Sequence, residues 1–306
     1  MIFNLISFYY HKLTNIIKNI QEMITFDGIT TESAAEILNR HTSDNILEIY
    51  NSAYQISRGQ INYYKENGFV VLKNILNSEA LQYTRKIIEA AVLIRKEKDI
   101  RTLLEKSRYE QSFLQCGFLC WDFSAIKDFV FGKRFAGIAK DLMEASGVRL
   151  WHDQALFKEP HGRVTDAHQD ISYWPINEGE FTTTMWLALN DVPKEKGCLY
   201  FYPGSHKFKE KEYVDIFKNP HHPEIVKGIE KIFTPIHAGD ATFHSGLTFH
   251  GAGQNISEEK REGMTIIYSA DGNTFDISDS RNATHKSCQG LKDGDKIDTQ
   301  YTPLLI

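Results

Sequence analysis

The feature that most constrains this chain is a change of pattern at Gly147. Beyond it, the helical spacing of apolar residues gives way to short runs rich in β-branched and aromatic residues. These are V-R-L-W-H-D-Q-A-L-F-K, T-D-A-H-Q-D-I, T-T-T-M-W-L-A-L-N, C-L-Y-F-Y-P, I-F-T-P-I, A-T-F-H, L-T-F-H-G and M-T-I-I-Y-S-A. Turn formers separate them, as in P-H-G, N-E-G, E-K-G, P-G-S, A-G-D and G-A-G-Q-N. Roughly eight such runs predict an antiparallel sandwich or jelly roll. Lys207 to Ile232 reads as a polar insertion between two of them.

Ahead of Gly147 the spacing is helical. Ile61 to Asn67 predicts a short helix stopped by Gly68 and followed by the strand F-V-V-L-K. A long helix from Ser78 places Leu81, Thr84, Ile88, Ala91 and Val92 on one face. Another, from Lys133 to about Ala145, buries Phe135, Ile138, Ala139, Leu142 and Met143. Helices early and strands late give an α+β fold. Residues 1–57 read as a helical extension packed on a main domain of residues 58–306. In that extension Ser33 with Glu36 predicts a capping box, and Asp44 a cap for I-L-E-I-Y.

The apolar start, M-I-F-N-L-I-S-F-Y-Y, is 10 residues long before His11, too short to span a bilayer. It lacks a basic n-region and a small-residue cleavage site, so no signal peptide is expected. Continued through Ile16, Ile17 and Ile20, it predicts an amphipathic helix packed on the main domain. A net charge of −5 argues against a broad nucleic-acid footprint. Cys116, Cys120, Cys198 and Cys288 show no C-x-x-C spacing and are expected to be reduced, in a cytoplasmic protein. Cys116 and Cys120, four apart, could face each other on a helix.

Within T-D-A-H-Q-D-I, His168 and Asp170 stand at i and i+2. On a strand they share a face, about 7 Å apart. With a histidine from a distant strand they make the two-histidine, one-carboxylate triad that binds iron(II) and leaves positions open. With 12 histidines and 40 acidic residues, a His-x-Asp/Glu arises by chance about once or twice. The other instance, His222 and Glu224, lies among prolines and reads as a solvated loop. A jelly roll brings its second and seventh strands together, so a histidine some eighty residues on can complete the set. His250 is preferred, because the small residues Gly251, Ala252 and Gly253 follow it. His244 is its rival; it reads first as a histidine bonded to backbone at the sheet edge, with a role in holding the ligands, or an exchange of place with His250, as the alternatives. Arg261, eleven residues after His250, offers a planar fork suited to a carboxylate. Lys158, Tyr173 and Trp174 flank the expected mouth as substrate contacts.

H-Q-D near Y-W-P, then T-M-W-L-A-L-N-D-V, G-C-L-Y-F-Y-P-G-S-H-K, and G-D-A-T-F-H-S-G-L-T-F-H-G-A-G-Q-N followed by an arginine, resemble the phytanoyl-CoA dioxygenase family. The resemblance runs from about Gln60 to Ala270. It implies a double-stranded β-helix (jelly roll, cupin-like) with flanking N-terminal helices. It also implies a non-haem iron(II) oxygenase using 2-oxoglutarate and O2 as cosubstrates to hydroxylate a small-molecule substrate: a lipid, an amino acid or a natural-product intermediate. Carried over, it implies iron ligands at His168, Asp170 and His250 and a partner for the far carboxylate of 2-oxoglutarate at Arg261. Gln169, Trp186 and Gln154 would line the cosubstrate pocket, and His206, in the P-G-S-H turn, would stabilise that turn or contact substrate. One departure is Ala252, where some members carry a small hydroxyl residue. Related halogenases have Ala or Gly in place of the carboxylate, so Asp170 favours hydroxylation. Two other readings remain: a cupin-type metalloenzyme that does not use 2-oxoglutarate, and a catalytically silent binding protein on the same fold.

Overall fold

The computed structural model describes residue 26 and residues 28–177, 179–278 and 285–306. The expected N-terminal amphipathic helix lies outside them. Six α-helices are described: α1 (Thr31–Asn39), α2 (Asp44–Asn51), α3 (Arg58–Asn67), α4 (Ser78–Lys96), α5 (Ser124–Val130) and α6 (Lys133–Met143). The strands are β1 (Phe69–Leu72), β2 (Leu114–Gly117), β3 (Val148–Lys158), β4 (Thr165–His168), β5 (Thr182–Ala188), β6 (Leu199–Phe201), β7 (Ile232–Thr234), β8 (Ala241–Ser245), β9 (His250–Ala252) and β10 (Arg261–Ala270). They form two antiparallel sheets, in the orders β1-β8-β5-β10-β3-β2 and β4-β9-β6-β7. This is the double-stranded β-helix, with helices on the outside of the larger sheet.

Both faces of that sheet are covered, so β5 and β10 are buried along their whole length. Alternation sorts the residues. Met185, Leu187, Met264, Ile266 and Tyr268 pack with Ile88, Ala91, Phe135, Ile138 and Leu142 of the helices. The opposite face carries Thr184, Trp186, Arg261 and Thr265 towards the smaller sheet. The expected face of α4 is buried except for Leu81, which is half-buried. Gly68 ends α3 at φ 80°, the left-handed conformation glycine adopts freely. The described part of residues 1–57 packs α1 and α2 against α4, α5 and α6.

Several expectations shift. The capping box of α1 is built by Thr30 and Ser33, not Ser33 and Glu36, because Ser33 is the residue whose hydroxyl reaches the free Thr30 N–H, at 2.8 Å. Ser43 is the N-cap of α2 and Asp44 its first residue. Cys116 lies on β2 and Cys120 in a 3-10 turn, so they share no helix, and all four cysteines are free and buried. Among the described residues no helix is long and apolar enough to cross a membrane.

Candidate metal centre

Strands β4 and β9 are neighbours, and His168 is the cross-strand partner of His250. Strand β4 ends at His168, and Asp170 opens a 3-10 turn rather than continuing the strand. Gln169 is still extended (φ −109°, ψ 132°), which keeps residues 168 and 170 on one side. One ligand atom from each of His168, Asp170 and His250 lies within 4.8 Å of the others, and among the described residues this is the one such group. Each Nε2 is 3.7 Å from Asp170 Oδ1.

The other ring nitrogens fix the tautomers. His168 Nδ1–H donates to the Asp166 carbonyl at 2.8 Å and His250 Nδ1–H to the Thr248 carbonyl at 3.0 Å. Both Nε2 lone pairs therefore face the centre. Burial pushes both imidazoles down to about 4, so they are neutral donors at neutral pH. Burial alone would raise the Asp170 carboxyl, but the imidazoles of His250, His244 and His168 override it and hold it well below the carboxylate range. Asp170 Oδ2 accepts from Thr184 Oγ1 at 2.7 Å and from His244 Nε2 at 3.2 Å, leaving Oδ1 free. His244 is thus not bonded to backbone at a sheet edge; β8 lies inside the sheet and aims its ring at the carboxylate. Thr184 was not read from the sequence at all. Its signal was the alternation of β5, which puts it on the same face as Trp186. Two neutral nitrogens and one carboxylate oxygen on one side are a donor set that fits iron(II).

The triad sits in a cavity of about 270 Å³. Its polar wall holds Arg261, Gln154, Thr165 and Thr265, with Trp186 beside them. Arg261 is 1% exposed; Nη1 donates to the Gly197 carbonyl at 2.7 Å, its Nε has no partner, and its guanidinium lies 5.1 Å from the Trp186 ring centre. Burial pushes it down to about 10. Gly263 must lack a side chain, because a Cβ there would collide with the Trp186 indole. Gln154 accepts a hydrogen bond from Gln115 of β2. The other wall is aromatic, with Tyr109, Phe113, Tyr173, Trp174, Phe217, His152 and His285. Of these, Tyr173 and Trp174 were read as flanking the mouth and line the cavity; Tyr109, Phe113, Phe217, His152 and His285 come from segments in which no site was read.

Three expected pocket residues lie elsewhere. Gln169 points away from the cavity: its Nε2 donates to the carbonyls of Glu210 and Leu247, and its Oε1 accepts from Glu212 N. It ties the 207–232 insertion to the barrel. Lys158 is fully buried, not at the mouth, and its ammonium donates to the Arg163 carbonyl and to Thr165 Oγ1. His206 contacts the end of α3, with Nε2 bonded to the Lys65 carbonyl at 3.1 Å, and does not line the cavity. His222 lies in a loop and bonds the Pro223 carbonyl, and Glu224 opens a short 3-10 turn. A second cavity of about 930 Å³ lies on the outer face of the smaller sheet, floored by Tyr200, Tyr202 and Phe233.

The profile of the family described as phytanoyl-CoA dioxygenase (PhyH) matches residues 64–263. The chain belongs to the phytanoyl-CoA dioxygenase family. It is an enzyme of that iron- and 2-oxoglutarate-dependent dioxygenase class. The peroxisomal phytanoyl-CoA dioxygenase of Homo sapiens is 26% identical over 249 residues, covering 71% of this chain and 70% of that protein. The non-haem α-ketoglutarate-dependent carbocyclase SnoK from nogalamycin biosynthesis superposes with a TM-score of 0.68 at 25% identity, covering 83% of this chain and 99% of SnoK. The epimerase SnoN, in complex with Fe3+, α-ketoglutarate and nogalamycin RO, superposes equally well (TM-score 0.68) at 23% identity, covering 81% of this chain and 98% of SnoN. That likeness carries the fold alone. The family match spans His168, Asp170, His250 and Arg261 and ends before His285.

Proposed function

We propose that this protein hydroxylates a C–H bond of a small-molecule substrate, with iron(II) held by His168, Asp170 and His250 and 2-oxoglutarate held at Arg261. The observation that carries this reading is the convergence of the three ligand atoms while every competing atom of the triad is otherwise engaged. Iron(II), 2-oxoglutarate and O2 together supply the oxidising power for C–H cleavage and yield succinate and CO2. The residues of the chain position the reactants. Asp166 and Thr248 carbonyls hold the imidazole tautomers, Thr184 and His244 hold the carboxylate, and Trp186 backs the guanidinium.

Asp170 fills the place that a halide would need, which favours hydroxylation over halogenation. The aromatic wall, without a charged side chain, favours an uncharged, ring-bearing or apolar portion of substrate. Four free, buried cysteines support a reducing, cytoplasmic setting. The test is anaerobic addition of iron(II) and 2-oxoglutarate, watching for the visible charge-transfer band of the chelate. The wild type should give the band and His250→Ala should not. A metal centre independent of 2-oxoglutarate would instead leave turnover intact in Arg261→Ala, and a silent binding protein would give no band in the wild type.

A further inference from the structure

The aromatic end of the cavity holds two imidazoles that the proposed reaction does not use. His152 reaches it because β3 carries a bulge. Ile267 of β10 pairs with His152 and Tyr268 with Leu150, which leaves Trp151 as the extra residue. Leu150 therefore packs with the helices, Trp151 packs with Trp174, and His152 borders the cavity. His285 comes from near the C-terminus. The Ser287 hydroxyl donates to the Trp151 carbonyl at 2.7 Å and fastens that segment to the bulge. The His285 ring stacks on Trp151, with centres 4.7 Å apart and planes at 7°, and its centre lies 5.3 Å from that of His152.

The pair is polar where its surroundings are not. His152 is 7% exposed, and its Nδ1 is enclosed without a hydrogen-bond partner. A buried ring nitrogen left unpaired destabilises the fold, so packing alone does not account for a histidine here. Phenylalanine would fill the same space between Phe118 and Trp174. His285 Nδ1 accepts from Ser287 N at 3.3 Å, so its ring proton sits on Nε2. Burial pushes His152 down to about 4 and His285 to about 3, so both rings are uncharged at neutral pH. An uncharged imidazole offers one N–H and one lone pair. A hydroxyl, which donates and accepts at one atom, suits both rings whichever nitrogen of His152 holds the proton. A carbonyl suits them in one case only.

We infer that His152 and His285 are substrate-binding residues that hydrogen-bond a hydroxyl of the substrate, an alcohol or phenol whose skeleton lies along Tyr173 and Trp174. This rests on the hydroxylase reading above. Holding the hydroxyl at this end fixes which C–H of the substrate faces His168, Asp170 and His250.

The probes are benzyl alcohol, ethylbenzene (a methyl in place of the hydroxyl) and benzoate. They are titrated at pH 7.5 into protein supplied anaerobically with iron(II) and 2-oxoglutarate, so that the Arg261 end is filled. Binding is read from tryptophan fluorescence, because Trp151 and Trp174 border the pair. His152→Phe and His285→Phe should each weaken benzyl alcohol about three- to tenfold, the size expected for one hydrogen bond. Ethylbenzene should bind these variants as well as it binds the wild type, or better. His152→Gln, which keeps a donor and an acceptor, should recover part of the loss. Benzoate should bind the wild type more weakly than benzyl alcohol, since neither ring carries a charge to meet it. Equal benzyl alcohol affinity in the wild type and His152→Phe overturns the assignment. So does equal weakening of benzyl alcohol and ethylbenzene with a lowered thermal midpoint, the result for a ring that only packs. Benzoate as the tightest of the three probes overturns it as well. If His152→Phe does not fold, His285→Phe and His152→Gln decide. Absence of the charge-transfer band in the wild type overturns the hydroxylase reading, whereas the fluorescence titration still decides the imidazole pair.

Discussion

At the residue scale, the centre separates groups that would touch the metal from groups that would hold those ligands still. His244 belongs to the second kind: its Nε2 donates to the Asp170 oxygen that faces away from the other two histidines. Loss of such a support typically costs 10- to 100-fold in metal affinity. His244→Leu should therefore bind iron(II) or cobalt(II) about 10- to 100-fold more weakly in a titration, while His244→Asn, which keeps an N–H donor, recovers part of it. Retention of full affinity in His244→Leu would remove the support role. The period-2 argument that paired His168 with Asp170 also had the answer for Gln169. A residue between two that face inward must face outward, and Gln169 does. Resemblance drew it into the pocket; alternation alone would have kept it out. Thr184 was harder to see, because it meets Asp170 from a strand 14 residues away, whereas the support that His244 gives from 74 residues away was among the alternatives read for it.

At the scale of elements, the strands after Gly147 were legible because alternation and turn residues agree there: β3 to β7 fall within the expected runs, while β8, β9 and β10 overlap theirs and extend past them by one, one and three residues. Strand β2 and helix α5 were not, being only 4 and 7 residues long, too short for a period to show. The 207–232 insertion was read as polar, which is right for its composition and misses its purpose. It sends Ile216 and Phe217 into the cavity wall and is held by side chains from the turn after His168. Gln169 bonds Glu210 and Glu212, Ser172 donates to the Glu212 carbonyl at 3.3 Å, and the Tyr173 hydroxyl donates to the Val214 carbonyl at 2.6 Å. One short turn thus carries Asp170 of the triad on one side and the fastening of the cover on the other. Gln169→Leu would leave buried backbone groups unpaired, at about 1–3 kcal/mol each. Limited proteolysis between Lys207 and Phe217 should accelerate in that variant, and 2-oxoglutarate should be consumed faster without substrate. An unchanged cleavage rate would mean that the insertion is held by something else.

For the whole molecule, the fold class followed from the order of helices before strands. The aromatic wall did not, because it is assembled from the loop ahead of β2, from β3, from the insertion and from His285 near the C-terminus. Closing the barrel over these rings has a thermodynamic consequence. Burial pushes His152, His168 and His250 down to about 4 and His285 to about 3, from an ordinary 6.5. Unfolding exposes all four, so between pH 6.5 and 4 the unfolded chain binds more protons than the folded one, and stability falls as pH falls. Asp153 works the other way. Burial raises it to about 6 despite hydrogen bonds from Cys120 and Leu119, so over the range from 6 down to its ordinary 3.8 the folded state holds the extra proton. The histidines outnumber it. Each net proton is worth about 1.4 kcal/mol per pH unit. The urea midpoint of the metal-free protein should therefore drop steeply from pH 6.5 to 4.5, and less steeply in His152→Phe, which removes one of the four imidazoles. A midpoint that stays level across that window would show that these rings are already solvated, and that the cavity is more open than its packing implies.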